Sequence, residues 1–248
     1  SFISVGIWWA LFSLPIMLFV DEKKENEKNS ISKALKEGIA QFKSTFNEIN
    51  NLKVVATFLL AYWLYIDGVD TTVRMAANFG ISLGFGQTAI MGALVLVQFV
   101  AFFATLLYIK FSDKVGIKNG IYTAIFAYIF IIFGAFFVTE SWHFYILALL
   151  IGCFQGGIQT LSRSLYSRII PKDKSGEYFG FFNMWGKFAA VFGPLLMGSA
   201  TVLINNRVDD QEFAARLGFQ FITVLLILGA YVFSKVDLEE GEALARKL

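Results

Sequence analysis

The sequence predicts an all-α integral membrane protein, and three observations predict it. Hydrophobic residues make up 56% of the 248-residue chain and charged residues 16%, against about 25% charged in an average soluble domain. Seven runs close to the 20 apolar residues that a helix needs to cross a bilayer follow one another along the chain. Lysines and arginines gather between alternate runs rather than being spread evenly. One His and one Cys leave no disulfide framework and no ligand cluster, so zinc and redox chemistry are poor readings and no cofactor is expected. A net charge of +2 says little about partners, and no nucleic-acid partner is expected.

The first run, residues 2–20, opens at Ser1 without a basic leader or an A-x-A site, so it reads as a span of a longer protein and not as a signal peptide. Residues 21–53 are too charged to enter the bilayer. Within them Ile31, Leu35, Ile39, Phe42, Phe46 and Ile49 recur every three or four residues, the period of an amphipathic helix. That helix is either an interfacial strut between two helical bundles or a solvated linker. The remaining spans are expected at 54–79, 88–109, 119–138, 143–166, 178–204 and 214–234, ahead of a tail over 235–248.

Orientation follows from the basic residues. Placing 21–53 in the cytoplasm also puts there the loops near 110–118 and 163–174 and the tail, which together hold 17 of the 21 lysines and arginines. The opposite side has Arg74, Arg207 and Arg216, and Lys187 lies inside a span. The amino end is therefore expected outside and the carboxyl end in the cytoplasm of a multi-pass cell-membrane protein, a bacterial inner membrane being the expected address.

Several polar residues interrupt the apolar runs. Asp67, Asp70 and Arg74 are three and four residues apart, so they project from one face of the second span. Each charge near the bilayer centre costs roughly 2.5–3.5 kcal/mol on an insertion scale, whereas each Leu, Ile, Phe or Val returns about 0.3–0.6. The helix tolerates them if that face lines a water-filled cavity. At a rise of about 1.5 Å per residue, Asp67 lies about 20 Å into its span, Gln155 about 16 Å and Lys187 about 14 Å. Arg74 is the local partner of Asp70, which leaves Asp67 to titrate or to pair with Lys187. Lys187 in turn either binds a substrate carboxylate or neutralises an acid. Gln155 and Gln159 either contact a ligand or join helices by hydrogen bonds, and Arg163, next on that face, snorkels or latches at the cytoplasmic boundary. Gly152 and Gly156, four apart, let a neighbouring helix approach closely.

One span, a long polar linker and six spans is the arrangement of a transporter's carboxyl-terminal half with the last helix of the preceding half. In the loop KFSDKVGIKNG, Asp113, Lys114, Gly116 and Lys118 resemble the charged loop between the second and third helices of each half in the Major Facilitator Superfamily. The resemblance implies a latch on the cytoplasmic side. Residues 152–198 carry Gly156, Gly157, Gln159, Leu161, Ser162, Arg163, Ser164, Ile170, Pro171, Phe179, Gly180, Lys187, Gly193 and Pro194, and LYIDGVDT precedes them. These segments resemble the Unknown Major Facilitator family, whose eukaryotic relatives include the vacuolar amino-acid effluxer of autophagy. Gly193, Pro194 and Gly198 resemble the kink and close-packing element of transporter helices. The resemblance implies a six-helix bundle of two three-helix inverted repeats plus one preceding helix. It also implies a small-molecule substrate, amino acids being the family-based expectation, and a missing amino-terminal six-helix half as partner beside the lipid bilayer; a titrating Asp67 would be the group that a proton-coupled transporter needs.

Two other classes fit seven spans less well. A retinal protein needs a lysine in its last span, and none occurs before Lys235; a receptor would have no upstream six-helix bundle. An intramembrane enzyme needs a base near a buried nucleophile, yet His143 sits beside Trp142 at the outer interface, where anchoring explains both.

Overall fold

The computed structural model describes residues 2–20 and 31–247, with side chains for all of these except 31–37 and 189. The described residues form helices and no strands. They are α1 (Phe2–Phe19), α2 (Ile31–Asn51), α3 (Lys53–Ser82), α4 (Gln87–Val115), α5 (Ile117–Ala135), α6 (Ser141–Ile169), α7 (Ser175–Val208), α8 (Gln211–Gln220), α9 (Ile222–Ser234) and α10 (Leu238–Lys247). α8 and α9 count as one span, and seven segments are long and apolar enough to cross a membrane. Each expected run carries one of them.

Two compact units divide the chain, one ending at Phe42 and the other beginning at Lys43. The first holds α1, apolar on every side, and the start of α2. The second is the bundle of α3 to α10 with the last turns of α2. Those turns belong to it because Thr45 and Ile49 are buried there. Glu48 grips the Lys174 ammonium with both carboxylate oxygens at 2.9 Å, and the Thr45 hydroxyl donates to Glu177 at 2.6 Å. This pairing holds the Lys174 ammonium above its ordinary pKa, the hydrogen bond to Glu48 being the main cause.

Within the bundle α4 packs mainly on α6, α3 on α9 and α7, α5 on α6, and α7 on α8. Mapping α3–α4–α5 onto α6–α7–α8/α9 turns the α4–α6 pair into α7–α3 and the α5–α6 pair into α9–α3. The two triads are therefore repeats. Each has three crossings, an odd number, so the second starts on the opposite side of the membrane from the first and the repeats are inverted.

α3 is the central helix: 67% of its apolar window is buried, against 17% for α4 and 18% for α7. Its glycine and that of its neighbour permit this. A Cβ on Gly68 would stand 2.8 Å from Leu226 Cδ2, and one on Gly229 would stand 2.7 Å from the backbone nitrogen of Tyr65. Gly68 thus admits α9. Outward, α4 and α5 present Phe99, Phe102, Phe103, Phe126, Phe130, Phe133 and Phe137, a surface suited to acyl chains. The tail is not free: α10 docks through Gly241, whose Cβ would meet Ile169 and Val54 at 2.8 and 2.9 Å.

Candidate functional site

The centre of α3 turns Asp67 inward, 1% exposed. Its Oδ1 accepts the backbone N–H of Gly193 on α7 at 3.0 Å and the Thr71 hydroxyl at 3.2 Å. A carboxylate reaches a helix backbone only where side chains stand aside. Gly193 supplies that gap, since its Cβ would lie 2.8 Å from Asp67 Oδ1 and fall upon the Thr71 hydroxyl. Pro194 follows within the same helix and has no N–H to give to the carbonyl one turn back, so the α7 ladder is already broken here. No ion pair of Asp67 occurs among the described residues. The expected Asp67–Lys187 bridge is absent, because Asp67 points at the α7 backbone while Lys187 is exposed.

The other charged residues of α3 lie toward an open face. Asp70 is part-buried and Arg74 is 3.9 Å from it, the local pair that the spacing suggested. On α6, Gln159 and Arg163 are exposed; on α7, Asn183 and Lys187 are exposed. The Arg163 guanidinium donates to Asn183 Oδ1 at 3.1 Å and ties the two helices together. The result is a polar strip across α3, α6 and α7, open rather than enclosed. Apolar hollows lie elsewhere, among them a groove of about 420 Å³ between α5 and α6 lined by Phe130, Phe137 and Phe154. Among the described residues no three His, Cys, Asp or Glu side chains come together to hold a metal.

The remaining candidates separate into contacts and corrections. Gly152 and Gly156 sit against α4: a Cβ on Gly152 would be 2.9 Å from the Val97 carbonyl, and one on Gly156 would fall upon the Thr105 hydroxyl. Gly198 behaves otherwise. It is exposed with nothing near its Cβ position, so the close-packing part of the kink element does not extend to it. In the charged loop, Gly116 adopts φ 87°, a left-handed conformation that a side chain would strain, and closes α4 through its N–H to the Ser112 carbonyl at 2.8 Å. Asp113 and Lys114 are exposed, and no ion pair of Asp113 occurs among the described residues. Lys118 instead donates to the Val236 carbonyl at 2.6 Å, just beyond the end of α9.

Sequence reasoning missed the polar pairs inside the bundle. Tyr65 and Ser162 hydroxyls meet at 2.7 Å, joining α3 to α6. Arg216, assigned to the opposite loop, is 9% exposed and donates to the Phe136 carbonyl at 2.6 Å while pairing with Glu212 at 2.7 Å. Trp63 Nε1, the Tyr128 hydroxyl and Gln155 Oε1 are buried without a partner. Of these, only Gln155 carried a signal in the sequence, an amide inside an apolar run.

Comparison with known proteins supplies the lineage of this arrangement. The model of the family described as vacuole effluxer Atg22 like matches residues 1–246. The uncharacterized MFS-type transporter YxiO of Bacillus subtilis is 32% identical over 241 residues, which cover 96% of this chain and 54% of that protein. Autophagy-related protein 22 of Yarrowia lipolytica is 27% identical over 273 residues, covering 98% of this chain and 45% of the relative. The same protein in Saccharomyces cerevisiae is 25% identical over 289 residues, covering 98% and 51%. The chain spans about half the length of the curated relatives it matches. Six spans following a preceding one, with a proline-bearing helix held by a buried acid, thus belong to a known lineage: the chain is a member of the Atg22-like vacuole effluxer family of MFS-type transporters.

Proposed function

We propose that the bundle is the carboxyl-terminal half of a secondary transporter that moves a small polar solute, an amino acid by preference, by alternating access driven by protons. No catalytic step enters this reading. The open polar strip of α3, α6 and α7 faces the amino-terminal six-helix half across the cargo path, and the phenylalanines of α4 and α5 face lipid. The family name, effluxer, supports transport. Charges of both signs on the strip, Asp70 beside Arg74 and Lys187 beyond them, suit a solute with a separate carboxylate and ammonium. The basic end of the bundle, with Lys53, Lys110, Lys114, Lys118 and Lys172, faces the cytoplasm in this reading.

Asp67 carries the proton-coupling reading. It is a buried acid held only by neutral donors, and one of these is the backbone of the neighbouring helix. As a carboxylate it accepts from Gly193 in a charge-assisted bond; once protonated it loses that charge, and the grip of α3 on α7 weakens. A proton is thereby converted into a change in helix contact at the Pro194 break.

The test reconstitutes the full-length transporter, both halves, in proteoliposomes and measures amino-acid accumulation under an imposed pH gradient. Asp67→Asn keeps an oxygen for Gly193 but cannot titrate. Accumulation in this variant is expected to fall to the level of protein-free vesicles, with a melting temperature near that of the wild type. Gradient-driven accumulation at the wild-type rate sinks the reading.

A further inference from the structure

Where α6 ends, the tail folds back on it. α10 rests on Ile169 and Val54 through Gly241, and beside that contact a hollow of about 310 Å³ opens between the end of α6, the loop to α7 and α10. Three cations line it: Arg168 in the last turn of α6, Lys172 in the loop and Arg246 in the last turn of α10. Glu242 is the acid on its wall, so three cations against one acid leave a net charge of +2. The acid does not satisfy the arginines. Its oxygens stand 4.0 Å from Arg168 Nη1 and 3.6 Å from Arg246 Nη2, both beyond hydrogen-bond length, and the two side chains are 55% and 80% exposed. Glu242 thus gathers two guanidiniums at one hollow and leaves their N–H donors available. Asp173, next to Lys172, lines a separate hollow with Glu48 and Lys174.

The depth of the hollow decides what it meets. α6 has 29 residues, about 43 Å at 1.5 Å per residue, against a hydrocarbon core of about 30 Å and a bilayer of about 40–45 Å with its headgroups. The helix starts at Ser141 beside Trp142, an interfacial anchor, so Arg168 near its other end lies among the headgroups of the opposite leaflet. Guanidiniums bind phosphate oxygens through paired N–H bonds, and an ammonium adds a point charge. A basic hollow at this level of a helical bundle therefore suits the phosphate of a negatively charged lipid. Buried Ile170 and part-buried Ala245 line the same hollow and offer apolar contact to the glycerol side of such a headgroup.

We propose that Arg168, Lys172 and Arg246 form a binding site for a phosphate group, at this depth that of an anionic lipid headgroup. The bound phosphate joins α6 to the loop and to α10 and so fastens the tail to the bundle. This goes beyond the transport reading and does not rest on it, since it needs only that the bundle crosses a membrane. Purified full-length protein in detergent is titrated with dioleoylphosphatidylglycerol, and bound lipid is counted by native mass spectrometry. Each cation beside a charged headgroup contributes about fivefold in affinity, so Arg168→Gln with Arg246→Gln should weaken binding of the first lipid roughly twenty-fivefold. Lys110→Gln with Lys114→Gln removes the same charge from the same end of the bundle but outside the hollow, and should change binding by less than about twofold. Glu242→Gln removes the competing acid and should tighten binding about fivefold, a gain that a merely structural ion pair would not give. A parallel titration uses inorganic phosphate alone. Binding of the lipid without binding of millimolar inorganic phosphate assigns the site to a headgroup, and binding of inorganic phosphate as tight as that of the lipid assigns it to a soluble phosphate. Equal losses in the two double variants overturn the proposal, as does unchanged or weaker binding in Glu242→Gln. Proton dependence at Asp67 is untouched by either failure.

Discussion

The inverted repeat makes α4–α6 and α7–α3 equivalent crossings, yet they are built differently. At α4–α6 the glycines 152, 156 and 157 meet Val97, Val100, Thr105 and Tyr108, a neutral crossing closed by van der Waals contact. At α7–α3 Gly193 meets Thr71 and a buried carboxylate, so a hydrogen bond is added to the ring packing of Tyr62 on Phe182 and of Trp63 on Trp185. Dispersion between small residues does not depend on proton concentration or on the charge of a cargo; a carboxylate bond depends on both. Under the proposed proton coupling, the same topological position serves as a fixed joint in one repeat and as a joint that can be switched in the other.

The largest test of this difference is Gly193→Ala. The added methyl displaces the Thr71 hydroxyl and the Asp67 carboxyl together, and transport is expected to fall tenfold or more while the protein still melts cooperatively; a rate within twofold of wild type would break the comparison. Gly156→Ala is its counterpart at the fixed joint. It presses on Thr105 and should cost about 1–3 kcal/mol in thermal or denaturant unfolding, with the pH dependence of transport unchanged. A shifted pH profile in this variant would show that both joints switch. Thr71→Val removes one of two donors to Asp67 without changing its volume and should cost about 1 kcal/mol, which Thr71→Ser should restore.

The smallest effect is expected at the strap between α2 and α7. The Lys174 ammonium is held above its ordinary pKa of 10.5, so its contribution is complete below pH 10.5 and is lost as pH rises through the raised value. Glu48→Gln should lower the melting temperature by an amount near the limit of detection at neutral pH, because the pair is largely exposed, and by nothing above the raised value. An equal loss at both ends of that range would show that Glu48 acts through something other than this ion pair.

How much of this was legible in the sequence varies with the kind of signal. The spans were legible because a helix in lipid must be apolar for about 20 residues, and composition alone records that. Asp67, Asp70 and Arg74 stood out because charge inside such a run is costly. The partner of Asp67 was not legible. Charge arithmetic pointed to Lys187, whereas the bond runs to a backbone N–H, a donor that every residue except proline carries and that no pattern of side chains marks. The partner of Lys118 was hidden for a like reason, being the backbone carbonyl of Val236. The pairing of Tyr65 with Ser162 and the buried hydroxyl of Tyr128 were not legible because hydroxyls on aromatic or small residues pass as core in an apolar run.

The sequence by itself determined that this chain crosses a membrane in helices, how many segments can do so, and which residues are too polar to face lipid. Hydrophobic free energy is summed along a segment, so linear order suffices to read it. Only the tertiary structure decided which polar group meets which. Hydrogen bonds are short and directional, and whether two atoms from α3 and α7 come within 3.0 Å depends on glycines and crossing geometry more than 100 residues apart in the chain.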